Sequence, residues 1–399
     1  MMFVKFAGAA AAGCALTLAL TPPAGAAARH AEKPEAVGGY AMSSDLTVGG
    51  ADAPDESFFY EKFGGVKVDA DGSGNLYVLD NGNARIQVFG KDGSFLRSIG
   101  REGEGPGEFQ IPGRFAVNAA GDIAVFDMGQ GRVSVLDKNG ALQWDTVTGE
   151  VQDLAFTASG VLLLGYGKHG PAQVEAYGPD GKRAWAAGAA NPPGDQVINI
   201  QLSRQQIAPR LTFSAANCFR APQGEYRLQV FSLKGDEVGE FTRPFPRQAI
   251  TPEDLAPMDK DEDEGGPKVV MIARTEGGDG HGGGSPGGGG GGGSWKAGDD
   301  EEAMTFSLDN LADHLPKHHP DTRGVVAWPD GRVWILTAED ERGGVVTDEW
   351  SADGRWLRRF TVPEQYDWLN VGRDGALYGV THDDDDYPSV HRVAVKTEA

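Results

Sequence analysis

The sequence predicts an all-β fold, a six-bladed β-propeller closed by an N-terminal strand and carrying a largely disordered acidic and Gly-rich insertion. Three observations predict it. First, Gly74-Asn-Leu-Tyr-Val-Leu-Asp80 with Arg85-Ile-Gln-Val-Phe89 and Asp92-Gly93 recurs 47 residues later as Gly121 to Asp127, Arg132 to Leu136 and Asn139-Gly140. Second, the runs are short, alternating and rich in Val, Ile, Phe and Tyr, and they are separated by Asp-Gly or Asn-Gly turns, which is strand-and-hairpin chemistry. Third, each unit holds about four strands in roughly 40–50 residues, the period of a propeller blade.

Taken in chain order, residues 1–26 read as a secretion signal peptide. Lys5 is the sole charge before an apolar run from Phe6 to Leu20, and Ala24-Gly25-Ala26 supplies the small-residue cleavage pattern. The run falls short of the roughly 20 residues a spanning helix needs, so no membrane span is expected in the mature chain. Residues 37–249 hold the closing strand and blades one to four. Blade three runs through Gly160–Tyr166, Val174–Tyr177 and Asp180-Gly181, and blade four through Glu225–Phe231 and Lys234-Gly235. Residues 324–399 hold blades five and six, from Asp330-Gly331 and Asp374-Gly375 onward. Blade six ends one strand short at the C-terminus. The segment Val37 to Val48 is the spare strand that would complete it, closing the ring and removing an exposed sheet edge.

The insertion, residues 250–323, interrupts this pattern. Asp259-Lys-Asp-Glu-Asp-Glu264 cannot bury itself, and 13 of the 17 residues from Gly277 to Gly293 are glycine, which predicts a flexible coil. Leu308, Leu311 and Leu315 share one face of a short helix that Ser307 caps and Pro316 stops.

The formal charge is −22 over 399 residues, with 58 acidic against 36 basic side chains. That balance argues against nucleic acid, because phosphate recognition draws on Lys and Arg. Cys14 leaves with the signal, and Cys218 lies in a strand-like run where a buried thiol is expected. The mature chain then has no internal disulfide, and its stability must come from its core.

The Asp80–Arg85 and Asp127–Arg132 hairpins, together with Ile99-Gly-Arg-Glu-Gly-Glu-Gly-Pro-Gly-Glu-Phe109 and Phe115-Ala-Val-Asn-Ala-Ala-Gly-Asp-Ile-Ala-Val125, resemble NHL-type repeats of bacterial six-bladed β-propeller proteins. The resemblance is strong over residues 65–145 and weakest over 196–242. It implies an exported propeller and says little about chemistry, since propellers host binding proteins, lyases and lactonases alike.

Asp80 with Arg85, and Asp127 with Arg132, are expected to be structural hairpin pairs. Asp69-Ala-Asp71-Gly-Ser73-Gly74-Asn75 has the oxygen spacing of a calcium loop, but position 12 is Asp80 rather than Glu and a strand follows, so a β-turn is expected. His314 and His318 have zinc-like spacing that Pro316 breaks. His382-Asp383-Asp384-Asp385-Asp386 is expected to be a solvated turn, with divalent-cation capture at Asp383 and Asp384 as the alternative and calcium as the one possible cofactor. Loops joining strands two and three of each blade emerge on the same face as the connections between blades. Arg101, Arg114, His169, Arg204, Arg210 and His382 are the ligand-binding candidates on that face. No G-x-S-x-G or H-E-x-x-H pattern occurs.

The sequence therefore leads to an exported, periplasmic or extracellular, monomeric propeller that binds a protein, peptide or glycan through its loop face and channel mouth. A metal-dependent lactonase- or lyase-like enzyme is the alternative.

Overall fold

The computed structural model describes residues 29–31, 33–37, 39–61, 65–148, 151–166, 174–188, 208–209, 211–214, 217–221, 226–246, 321–340, 344–363 and 365–397. The signal segment 1–26, nearly all of the 250–323 insertion, and His314 and His318 lie outside the described residues.

Six sheets are arranged as a six-bladed propeller. Blade one comprises Lys67–Ala70, Leu76–Asp80, Arg85–Phe89 and Phe95–Ile99, each strand antiparallel to the next. Blade two repeats it as Pro112–Val117, Ile123–Asp127, Arg132–Leu136 and Leu142–Val147. Blades three, four and five begin at Val151–Phe156, Leu211–Phe213 and Thr322–Ala327. The first strands contact one another around the ring and line the central channel. The turn after the first strand needs a positive φ, which Gly74 and Gly121 supply at +79° and +91°.

Blade six holds Trp368–Val371, Leu377–His382 and Pro388–Thr397, and its outermost strand is Tyr40–Gly49 from the other end of the chain. The pairing is antiparallel, from Ser389 opposite Gly49 to Thr397 opposite Tyr40. The closing strand thus starts three residues later than Val37. Residues Ala36–Val37 instead pair in parallel with Trp356–Pro363 at the rim of blade five, and Arg29–His30 pair in parallel with Glu237–Thr242 at the rim of blade four. Three successive pieces of the N-terminal segment thereby cover the outer edges of three blades, which hides backbone donors and acceptors an open edge would present.

The hydrophobic core is a ring of six clusters, one per blade interface. Leu79, Ile86 and Ile99 of blade one meet Val117, Ile123 and Leu136 of blade two, and Trp334 and Phe360 of blade five meet Leu369 and Val393 of blade six. Second strands such as Leu76–Asp80 and Leu162–Tyr166 are buried along their whole length, alternate residues packing into the clusters on either side. Cys218 is fully buried in the cluster between blades three and four, and burial pushes its thiol up to about 12, so it packs as a small apolar group.

Candidate functional site: the central channel

All six inner strands, or the turns that follow them, converge on one cavity of about 180 Å³. The residues that give it chemical character are Lys67 and Asp69 of blade one, Arg114 of blade two, Asp153 of blade three, and Trp368 and Arg373 of blade six, with Phe115 and Phe213 adding aromatic wall.

The placement follows from the repeat. Across their hairpins Lys67 faces Leu79, Arg114 faces Phe126, Asp153 faces Gly165 and Trp368 faces Val380, the same register position on four blades. They therefore form one layer near the start of the inner strands, the end of the channel from which the loops between second and third strands and the connections between blades also emerge. Two residues further in, Asp69 and Asn370 form the next layer.

The far end is built around Arg373, in the turn after the blade-six inner strand. Its backbone N–H donates to Ala70 O at 2.9 Å, its Nε donates to Val117 O at 2.7 Å, and its guanidinium lies 4.4 Å from the Phe213 ring centroid. Asp69 accepts from Val117 N and Ala70 N, and its Oδ2 lies 3.9 Å from Arg373 Nη2. Burial pushes the Asp69 carboxyl up, against the pull of Arg373 and the two amides. Asp69 and Arg373 so tie blades one, two and six together beneath the cavity.

At the mouth, Lys67 is 6% exposed and its Nζ stands 3.9 Å from the Trp368 ring centroid. Burial, reinforced by the neighbouring Arg114 cation, lowers its pKa to about 7, with Asp153 and Glu61 acting in the opposite sense. Arg114 is held in place by two backbone carbonyls, Nε donating to Gln152 O at 2.7 Å and Nη1 to Gly113 O at 2.8 Å. Trp368 is 5% exposed, and its indole Nε1 is buried without a hydrogen-bond partner.

The sequence-derived candidates divide. Arg114 lines the cavity. Arg101 is 79% exposed and pairs with Glu108 within its own connection. His382 does not line the cavity. Its Nδ1 lies 2.6 Å from Asp367 Oδ2 and its Nε2 lies 3.1 Å from Glu61 Oε2, and these two carboxylates raise its pKa to about 10. His169, Arg204 and Arg210 lie outside the described residues.

Asp383 Oδ1 accepts from the backbone N–H groups of Asp385 and Tyr387, so that carboxylate shapes its own turn. Among the described residues, no group of three or more His, Cys, Asp or Glu is placed to hold a metal ion, and Asp383 and Asp384 gain no third ligand. The calcium-like loop is a turn: Asp71 Oδ1 accepts from Ser73 N and Asn75 N, while Asp69 points to other blades.

Of the two hairpin pairs, Arg85 Nε donates to Asp80 Oδ2 at 2.7 Å, and Asp80 is fully buried. The second expectation needs correction. Arg132 pairs with Asp145 at 3.3 Å and donates to Glu104 O, while Asp127 accepts from the backbone N–H groups of Gln110, Ile111, Gly129 and Gln130. The incoming connection from blade one donates two amides to Asp127 and the hairpin's own turn donates two more, while Arg132 turns to the outer strand.

Lys67, Asp153, Trp368 and Arg373 were not singled out by sequence. The signal for Lys67 was present, since it stands one repeat before Arg114.

A family profile and one solved structure bear on the fold. Residues 61–142 match a family profile described as a 6-bladed beta-propeller. A Bacteroides fragilis protein described as a candidate exported protein is 13% identical, with 92% of this chain and 99% of that one covered at a TM-score of 0.50. A Bacteroides vulgatus protein of the DUF4221 family is 10% identical over 90% of this chain and 99% of that one, TM-score 0.49. A streptogramin B lyase is 10% identical over 86% and 81%, TM-score 0.43. No curated protein matches the chain.

Proposed function

We propose that this is an exported ligand-binding propeller of NHL-type repeats, which takes a protein, peptide or glycan group into the mouth of its central channel from the loop face. One observation carries the reading: four inner strands present Lys67, Arg114, Asp153 and Trp368 at one register around a cavity that all six blades line. An apolar and aromatic wall that carries a few convergent charged groups is the make-up of a ligand pocket. Export is supported by the charge, apolar run and Ala24-Gly25-Ala26 pattern of the first 26 residues. The metal-dependent lactonase or lyase reading receives no ligand set from the described residues.

The test is thermal unfolding of the purified protein against a panel of peptides, oligosaccharides and small metabolites. A ligand that binds only the folded state raises the midpoint by mass action. The expected result is at least one compound whose shift disappears in Arg114→Ala. Shifts that persist in that variant would place binding elsewhere, and an absence of shifts across the panel at millimolar concentration would overturn the reading.

A further inference from the structure

We propose that the loop face over blades one and two is a docking surface for a basic polypeptide, whose apolar side chains pack on Tyr60, Ile111 and Met128 while its Lys and Arg side chains meet the acids around them. The surface is separate from the channel, since none of the three lines the cavity.

Single exposed apolar side chains are ordinary, but these are held out by the backbone beneath them. Tyr60, Ile111 and Met128 are 57%, 37% and 43% exposed. The Tyr60 N–H donates to Asp80 Oδ1 at 2.8 Å, and the Tyr60 carbonyl accepts from Gly82 N at 2.8 Å. The Ile111 N–H donates to Asp127 Oδ1 at 3.0 Å, and the Ile111 carbonyl accepts from Met128 N at 2.9 Å. Each of these two residues belongs to the connection entering its blade, and each is clamped on that blade's hairpin through a buried aspartate and a turn amide. Glycine permits the close approach, because a Cβ at Gly82 would collide with Tyr60 O and one at Gly129 with Gln110 Cβ. An apolar side chain rooted in so fixed a backbone gives up little freedom when a partner covers it.

The charge around the patch is of one sign. Asp55 and Glu56 lie in the connection before Tyr60, Glu102 and Glu104 in the connection before Ile111, and all four are exposed. The exposed turn Asp383–Asp386 is brought beside them, the Tyr387 ring centroid lying 5.4 Å from that of Phe58 and His382 Nε2 lying 3.1 Å from Glu61 Oε2. The cations of this region are committed elsewhere: Arg85 pairs with Asp80, Arg101 with Glu108, Arg132 with Asp145, and His382 with Glu61 and Asp367. Asp55, Glu56, Glu102, Glu104 and the 383–386 turn are left without a cation among the described residues. An apolar patch with such a rim selects a partner that carries apolar anchors and positive charge. The chain's own acidic run Asp259-Lys-Asp-Glu-Asp-Glu264 has the wrong sign for this face, and so does a second copy at a net charge of −22.

The probe is the blocked octapeptide Lys-Leu-Arg-Phe-Lys-Leu-Arg-Phe, titrated calorimetrically into the purified protein. One control peptide has Glu in place of every cation, and the other has Ser in place of every Leu and Phe. At about 50 mM salt the probe is expected to bind about ten-fold more tightly than either control, and to weaken at about 500 mM, because salt screens charges at a surface. Ile111→Ser and Met128→Ser should each weaken the probe several-fold with the thermal midpoint unchanged. Should either variant lose stability, Glu104→Lys, at an exposed position, should weaken the probe and strengthen the acidic control.

Met128→Cys adds a thiol to a protein whose Cys218 is buried, and that thiol should react with a maleimide at the rate of an exposed cysteine. Protection that persists on dilution would show the face covered by the chain itself, and protection that dilution relieves would show a second copy there. Either overturns the proposal. So does equal binding of the probe and its Ser control, which would reduce the face to charge alone, and so does no binding at millimolar concentration. Binding that ignores the Ile111 and Met128 variants but is lost in Arg114→Ala would place the peptide in the channel, overturning this surface and supporting the channel reading.

Discussion

Lys67 and Arg114 stand 47 residues apart in sequence and at the same register on adjacent inner strands, one facing Leu79 and the other Phe126 across its hairpin. A repeat that places cations side by side around a channel creates a problem that an apolar pair would not. Burial and the neighbouring guanidinium both oppose the Lys67 charge. Positions of this kind, where local consistency is broken, are where function is expected to reside.

The Lys67 amine has a measurable signature in stability. Its folded pKa is about 7 against 10.5 for the free side chain, so between these values the unfolded chain holds a proton that the folded chain lacks. Stability should therefore rise with pH across that window, by up to about 1.4 kcal/mol per pH unit. Lys67→Met should remove this slope and be more stable than the parent at pH 6. Urea unfolding at pH 6, 7.5 and 9 checks both, and parallel curves for parent and variant would refute the assignment.

His382 should act with the opposite sign. Asp367 and Glu61 raise its pKa from 6.5 to about 10, so its contribution is fully present below about pH 6.5 and is lost as pH rises through 10. The group is partly solvated, and screening limits the contribution to about 1 kcal/mol or less. His382→Gln should unmask a steeper rise in stability between pH 7 and 10 than the parent shows, because the Lys67 slope then stands unopposed. An NMR titration should find the imidazole still charged at pH 8. A His382 midpoint near 6.5 would show that the two carboxylates do not hold it.

The architecture was legible because it repeats: the Gly-strand-Asp-turn-Arg-strand unit and the missing last strand of blade six together specify a closed ring. The rim strands Arg29–His30 and Ala36–Val37 were not legible. Each pairs over two residues in parallel with an outer strand, which leaves no hydrophobic period to read. The site was legible in part. Arg114, expected in a loop of that face, lies on the inner strand Pro112–Val117 and lines the cavity, and carrying the 47-residue offset back to position 67 would have reached Lys67. Trp368 and Asp153 carry no local motif, and their significance comes from the ring bringing blades six and three beside blade one. The failed Asp127–Arg132 pair shows the converse. The two hairpins match closely, yet the connection entering blade two supplies two amide donors to Asp127, beyond the two from the hairpin's own turn, and those two cannot be seen in the hairpin itself.

The interface between blades four and five depends on a buried ion pair. Arg243 Nε donates to Asp348 Oδ2 at 2.6 Å, with side chains 2% and 0% exposed. Tyr226 OH donates to the same oxygen at 2.7 Å, and the guanidinium lies 4.4 Å from the Tyr226 ring centroid. Burial pushes the Asp348 carboxyl up, so it relies on Arg243 to stay ionised. Arg243→Ala leaves that carboxylate unpaired and should cost about 3–5 kcal/mol. Arg243→Lys keeps the charge and loses the stacked fork, so its cost should be smaller. Equilibrium unfolding at pH 7 measures both, and a loss under 1 kcal/mol in the alanine variant would show the pair to be dispensable.

Ring closure should depend on Tyr40–Gly49 far more than on the two rim strands before it. Tyr40–Gly49 pairs along nearly its whole length with Pro388–Thr397, and Tyr40 OH also donates to both carboxylate oxygens of the buried Glu349 in blade five, at 3.0 and 2.9 Å. A chain beginning at residue 39 loses only four paired rim residues and should keep a cooperative thermal transition a few degrees lower. A chain beginning at residue 50 leaves Pro388–Thr397 as an open edge and uncovers the clusters packed against Tyr40, Met42 and Val48. Unpaired edges of that length recruit other chains, so this form should self-associate in light scattering and lose its sharp transition. Tyr40→Phe tests the link between blades alone: losing hydrogen bonds to an ionised carboxylate should cost about 1.5–3 kcal/mol. If the chain beginning at residue 50 stayed monomeric and melted as sharply as the parent, closure by the N-terminal strand would not be what holds the ring.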